Sequence, residues 1–164
     1  MDDLLQALLH LLEHEAELHE QLLSCLKEEA AGFGKATGAE LLQLQTSKSQ
    51  LVRRIEQLEQ ERMDLVSDMA QRWKVPPEEL RLKQIAERAS GPQGPALFAC
   101  HQQLTEVLEQ IRQQAEHNAR MAESRLKSVN TAIRFMAEAQ GTQQTYSEAG
   151  KLQGSKSKFS RSSI

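Results

Sequence analysis

Aromatic side chains are scarce in this chain of 164 residues. They make up 4% of it, with a single tryptophan, Trp73, and a single tyrosine, Tyr146. A compact globular core usually draws on more aromatic bulk, whereas narrow leucine-lined seams between long helices need little. Cysteine is nearly missing as well. Cys25 and Cys100 do not make a disulfide framework, and each falls on or near an apolar row, so both are expected to be small buried thiols in a reducing compartment. No charge of one sign dominates: the net of −3 gives no basic excess for general nucleic-acid binding. No hydrophobic run is long either. Leu4 to Leu12 is interrupted by Gln6 and His10 and is too short to cross a membrane. The acidic start Met1-Asp2-Asp3 lacks the basic residues of a signal peptide. The expectation is a one-domain cytoplasmic protein without membrane insertion.

Hydrophobic residues still make up 39% of the chain, and their spacing is helical. Asp2 and Asp3 are expected to cap a first helix and suit its positive end. Leu4, Leu8, Leu11, Leu18 and Leu22 form one row, and Leu5, Leu9, Leu12, Ala16, Leu23 and Leu26 a second. Two adjacent rows make a face wide enough to meet more than one helix. This helix is expected to end near Ala31, before Gly32 and Gly34, with Phe33 tucking back over its end. Thr37-Gly38-Ala39-Glu40 then has the form of a capping box. A second helix runs from there to about Lys74 on the row Leu41, Leu44, Lys48, Leu51, Ile55, Leu58, Arg62, Leu65, Met69 and Trp73 or Arg72. That 3-4 alternation is a coiled-coil signature. Lys48 and Arg62 interrupt it, weakening the pairing but fixing its register, with stems that can snorkel.

Val75-Pro76-Pro77 stops the second helix, and Pro77-Glu78-Glu79 suits the start of a short third one. Leu80, Leu82, Ile85 and Ala86 give that helix a modest apolar side for capping the open end of the hairpin. Ser90 to Pro95 ends it. The stretch Pro95 to Gln140 then has no internal proline or glycine. Its stripe is Leu97, Cys100, Leu104, Leu108, Ile111, Ala115, Met121 or Ala122, Leu126, Val129, Ile133 and Met136. Such a helix is roughly 65–70 Å long, and with one apolar stripe it must lie against other long helices. After Gly141 the pattern ends. Residues 142–164 are polar and locally basic (Lys151, Lys156, Lys158, Arg161), with too few anchors to fold alone. The expected fold is therefore all-α: an elongated antiparallel helical hairpin or bundle over residues 1–141, three long helices plus one short, and a flexible tail over 142–164.

Catalytic signatures are missing. No Gly-rich loop joins a strand to a helix, and neither a phosphate loop nor Gly-x-Ser-x-Gly occurs. His10-Leu11-Leu12-Glu13-His14 matches the H-x-x-E-H zinc pattern, but a third ligand and a shaping cleft have no source in the sequence. None of His10, His14, His19, His101 or His117 has a glutamate three positions before it, which argues against a di-iron bundle. No enzyme, metal or cofactor is expected. A metal enzyme built on His10 and His14 is the reading this weighs against. One feature exceeds structural need: a second row of Met121, Ala132, Phe135 and Ala139 widens the apolar face late in the long helix. It serves either to cover the bundle end or to receive a partner helix.

The segment Glu116-His117-Asn118, the striped helix with Asn130, and Tyr146-Ser147-Glu148-Ala149-Gly150 together resemble the C-terminal half of FlgN-like flagellar export chaperones. Ser47-Lys48-Ser49-Gln50-Leu51 and Gln57-Leu58-Glu59-Gln60-Glu61-Arg62 resemble the second helix of that family. The chain departs from the pattern at Ala119 and Ser147, where members often carry glycine. The resemblance implies a cytoplasmic chaperone of type III export that holds the terminal helices of hook–filament junction subunits. It implies binding through the C-terminal part, which maps to Asn118, Met121, Ala122, Arg125, Val129, Ala132, Ile133, Phe135 and Met136. It further implies that Tyr146 meets the cytoplasmic domain of the export gate, with the export ATPase complex as a further partner and a homo-oligomer left open. The alternative is a structural coiled-coil tether or scaffold without chaperone activity.

Overall fold

The computed structural model describes residues 1–89 and 91–143, with side chains through residue 139. Its elements are α1 (Asp2–Gly32), α2 (Gly38–Trp73), a 3-10 turn (Pro77–Glu79), α3 (Leu82–Arg88) and α4 (Gln93–Gln143). There is no strand among the described residues. The chain divides into two units, Met1–Ala122 and Glu123 onward. Most of the expected tail, including Tyr146, lies outside the described residues.

The helix ends follow local chemistry, with three corrections to the sequence reading. Met1 holds the N-cap position of α1 without a side-chain bond, and Asp2 and Asp3 sit inside the first turn. Their carboxylates therefore complement the helix dipole and do not cap it. The capping box of α2 forms as expected: Glu40 N–H donates to Thr37 Oγ1 at 3.3 Å, and Thr37 N–H donates to Glu40 Oε2 at 2.7 Å. α2 ends at Trp73, with Lys74 in the left-handed region at φ 55°. The single short helix expected from Pro77 is two pieces, because Leu80 leaves helical geometry (φ −95°, ψ 70°) to bury its side chain. α4 starts two residues before Pro95, which is possible because first-turn amides have no partner inside the helix. It also passes through Gly141, whose cost of about 1 kcal/mol is too small to stop a long helix.

Within the first unit the contacts set the helix directions. Glu15 faces Arg62 and Glu29 faces Lys48, so α1 and α2 are antiparallel. Gln103 bonds Glu20 and Asn118 bonds Glu29, so α1 and this part of α4 are parallel. The core gathers at one end, where Leu5, Leu8 and Leu12 of α1 meet Met69, Ile85 and Leu97. The short α3 closes that end, as the apolar side of its sequence suggests. Gly94 permits the closure: a Cβ there would stand 2.8 Å from the Ala86 carbonyl oxygen. A smaller cluster of Leu18, Leu51 and Leu58 continues the α1–α2 seam.

The α2 row is buried or half-buried from Leu41 to Met69, the charged Lys48 and Arg62 included, and at its last position Trp73 is half-buried while Arg72 is exposed. The seam of α4 differs from its expected stripe. Leu108 is 47% exposed and Ala115 is exposed, while Val107 and Asn118 are buried and Gln114 half-buried. Cys100 is buried but Cys25 only half so, which corrects the expectation of two fully buried thiols.

Candidate partner-binding site

The polar residues inside the seams form two connected groups. In the first, Lys48 Nζ on α2 donates to Glu29 Oε1 on α1 at 2.6 Å. Asn118 Nδ2 on α4 donates to Glu29 Oε2 and to the Leu26 carbonyl, both at 2.8 Å. Gln114 Nε2 completes the set by donating to Asn118 Oδ1 at 2.9 Å. Burial alone would raise the Glu29 carboxyl, but the hydrogen bonds from Lys48 and Asn118 outweigh it and hold the group below the usual carboxylate range. One carboxylate thus joins all three long helices. In the second group, Glu15 Oε2 and Arg62 Nε lie 3.3 Å apart as an ion pair, though without hydrogen-bond alignment. His19 Nδ1 is 2.8 Å from the Glu15 carbonyl oxygen; a carbonyl only accepts, so Nδ1 carries the proton. Glu15 and His19 share the phase of the buried leucines on α1, which was the one sequence sign that they face inward.

The residues assigned to partner binding fall into two sets. Asn118 is 5% exposed and its carboxamide is already engaged within the first unit. Met121 is half-buried. Beyond it the environment changes: every described side chain from Ala122 to Ala139 is exposed. Among them are Leu126 (62%), Val129 (54%), Ile133 (60%), Phe135 (71%) and Met136 (62%). Counted at about 100° per residue, these five together with Ala122, Arg125 and Ala132 occupy about half of the helix circumference. Glu123, Lys127, Asn130 and Arg134 take the other half, and Lys127 pairs with Glu123 at 2.9 Å. The result is an amphipathic helix with a broad apolar half facing solvent. The steps 126, 129, 133 and 136 alternate three and four, the spacing of a helix-pairing seam. Tyr146 lies outside the described residues.

The other reactive side chains converge on no chemistry. His10 lies near Gln6 (3.0 Å) and Glu13 (3.4 Å), and with His14 it lines an open groove shared with Glu61, Asp64 and Asp68. Among the described residues no group of three or more His, Cys, Asp or Glu is placed to hold a metal ion. Burial, then the neighbouring Glu28, pushes the Cys25 thiol up; burial, then Glu13, does the same at Cys100. Both are thereby poorer nucleophiles. Among the described residues no helix is long and apolar enough to cross a membrane.

No curated protein and no solved structure matches the chain. A family model described as FlgN protein matches residues 1–154, which takes in all three long helices, the polar network and the exposed strip. The chain therefore belongs to the FlgN family of flagellar export chaperones.

Proposed function

We propose that this protein is a cytoplasmic chaperone of flagellar type III export that captures the terminal helices of hook–filament junction subunits on the exposed half of α4. The observation that carries the reading is the strip Leu126, Val129, Ile133, Phe135 and Met136, all more than half exposed. Full burial of side chains of this kind contributes roughly 1.5–3 kcal/mol each. Ordering an amphipathic segment offsets part of that gain, which leaves binding tight enough to hold a subunit and loose enough to release it. The docking set is Met121, Ala122, Arg125, Val129, Ala132, Ile133, Phe135 and Met136, extended by Leu126. Asn118 bounds it, because its hydrogen-bonding groups are occupied within the first unit. Delivery is a separate step in this reading: Tyr146 contacts the cytoplasmic domain of the export gate, with the ATPase complex nearby.

The test is a binding measurement with a purified junction subunit and, separately, the gate domain. Val129→Asp with Ile133→Asp should abolish subunit capture and spare gate docking, whereas Tyr146→Ala should do the reverse. Full subunit affinity in the Asp pair would refute the site, and equal loss of both activities in either variant would refute the division of labour. The three-four spacing of the strip also suits a coiled-coil tether that pairs through the same residues. Analytical ultracentrifugation separates the two readings, since a tether self-associates tightly and does not dissociate on addition of a junction subunit.

A further inference from the structure

The α1–α2 pair is covered by α4 on one flank. There Leu97, Cys100 and Leu104 of α4 join the core of Leu5, Leu8 and Leu12. Another flank of the same pair is an open groove of about 830 Å³, and no residue of α4 lines it. Its floor is apolar: Leu58 is 8% exposed, and Leu11 and Leu65 are half-buried. The groove runs from Ala7 to His14 along α1 and from Leu58 to Asp68 along α2, roughly two to three turns of helix. An uncovered apolar floor between two packed antiparallel helices is where a bundle accepts a further helix.

The walls decide which charge that helix carries. Glu61, Asp64 and Asp68 line the groove from α2 and His10 and His14 from α1, and no lysine or arginine is part of the lining. With the imidazoles neutral at pH 7, three negative groups face no positive one. Their spacing of three and four puts the carboxylates side by side on α2, where they repel one another. Asp64 accepts a hydrogen bond from Gln60 Nε2 at 2.9 Å, which brings no charge, and none of the three makes an ion pair among the described residues. The acids inside the seam differ, since Glu29 is paired with Lys48 and Glu15 with Arg62. A cation brought into the groove from outside relieves the repulsion there and meets a negative potential.

We propose that this groove docks a basic amphipathic helix of a partner protein. The apolar face of that helix lies on Leu11, Leu58 and Leu65, and its lysines or arginines meet Glu61, Asp64 and Asp68. The site uses no residue of the strip on α4 and provides the chaperone with a second point of attachment.

The experiment is an amide NMR titration of the full chain with two peptides, acetylated and amidated. One is three repeats of Leu-Lys-Lys-Leu, and the other has glutamate in place of every lysine. The lysine peptide should shift Leu11, Leu58 and Leu65 saturably and bind there about tenfold more tightly than the glutamate peptide, the size of three exposed ion pairs. Raising the salt from about 50 mM to about 500 mM should bring the two to within about threefold. Glu61→Gln combined with Asp64→Asn and Asp68→Asn, all at exposed positions, should keep the spectrum of the folded protein and remove the preference. Ala7→Trp, which fills the groove from an exposed position, should abolish the shifts from both peptides. Equal binding of the two peptides to the parent chain, or an undiminished preference in the neutralised variant, would overturn the proposal. So would shifts at residues 126–136 alone, or shifts at the groove produced by raising the protein concentration without peptide, which would assign it to a second copy.

Discussion

The Asn118 carboxamide on α4 donates to the Leu26 carbonyl on α1 at 2.8 Å, and the same nitrogen reaches Glu29 at 2.8 Å. Asn118→Ala leaves a half-buried carboxylate oxygen and a backbone carbonyl without that donor, at a cost of about 1–3 kcal/mol. For a domain of this size each kcal/mol lowers Tm by roughly 2–4 °C. Thermal unfolding followed by circular dichroism checks it. Asn118→Asp should be worse at neutral pH, because it sets a second carboxylate against Glu29, and should recover partly in acid. A Tm within 1 °C of the parent for both variants, a threshold on the order of measurement error, would show that the network does not hold α4.

Glu29 also gives the fold a predictable pH dependence. Burial acts to raise its carboxyl, but Lys48 and Asn118 lower it further, so its folded value lies below the unfolded one. The sign follows: this contribution to stability is complete above the unfolded value and is lost as pH falls through the folded value. Denaturant unfolding between about pH 5 and pH 3 should show a falling free energy in the parent chain. Glu29→Gln should have a smaller slope over that window and a lower stability above it. The exposed Glu109, held at about 2 by Arg112 and Gln113, and Glu40, lowered by Thr37, leave part of the slope in place. An unchanged slope in Glu29→Gln would mean that its carboxylate is not the coupled group.

How much of this was legible follows from what periodicity can count. The α2 row was readable from Leu41 to Met69, even at Lys48 and Arg62, because a charged residue in the phase of leucines is expected to face inward with its stem packed; only its last position, which Trp73 takes and Arg72 does not, was left open by the spacing. Asn118 was not readable as a strut. Its partner Glu29 is 89 positions away, and an apolar count passes over an asparagine whose hydrogen bonds are satisfied elsewhere. Leu108 and Val107 are adjacent and both apolar, so spacing alone did not choose between them. The observed seam of Cys100, Leu104, Val107, Ile111, Gln114 and Asn118 keeps a strict seven-residue repeat, the spacing of supercoiled helices and not of a straight one, and that repeat takes Val107 in place of Leu108. The strip at 126–136 was visible as a stripe, but whether a stripe is covered is a tertiary fact that no local pattern carries.

Gly94 is where the first unit closes. The Cβ of an alanine would meet the Ala86 carbonyl at 2.8 Å and the Ala89 carbonyl at 3.2 Å. These are backbone atoms, so α3 must move. Helix propensity favours alanine by about 1 kcal/mol, but overpacking against backbone costs about 1–3 kcal/mol, so Gly94→Ala should be net destabilising. Gly38 is the control, since nothing lies within 4 Å of a Cβ placed there, and Gly38→Ala should be neutral or stabilising. Chemical denaturation of both variants checks the pair; equal stabilisation would mean that the close approach of α3 to α4 is not made.

The strip on α4 separates fold from function. Ile133 is 60% exposed and Leu8 is fully buried, yet both are aliphatic residues on helical stripes. Leu8→Ala should cost about 2–5 kcal/mol through the cavity it leaves and lower Tm accordingly. Ile133→Asp removes little burial in the unbound chain, so its stability should stay within about 0.5 kcal/mol of the parent. Its binding of a junction subunit should nonetheless fall by at least about tenfold, because a carboxylate would be buried against an apolar helix without a partner. Thermal unfolding and isothermal calorimetry on the same preparations give the two numbers. If Ile133→Asp destabilises the free protein as Leu8→Ala does, the strip is already packed in solution and is not a reserved binding face.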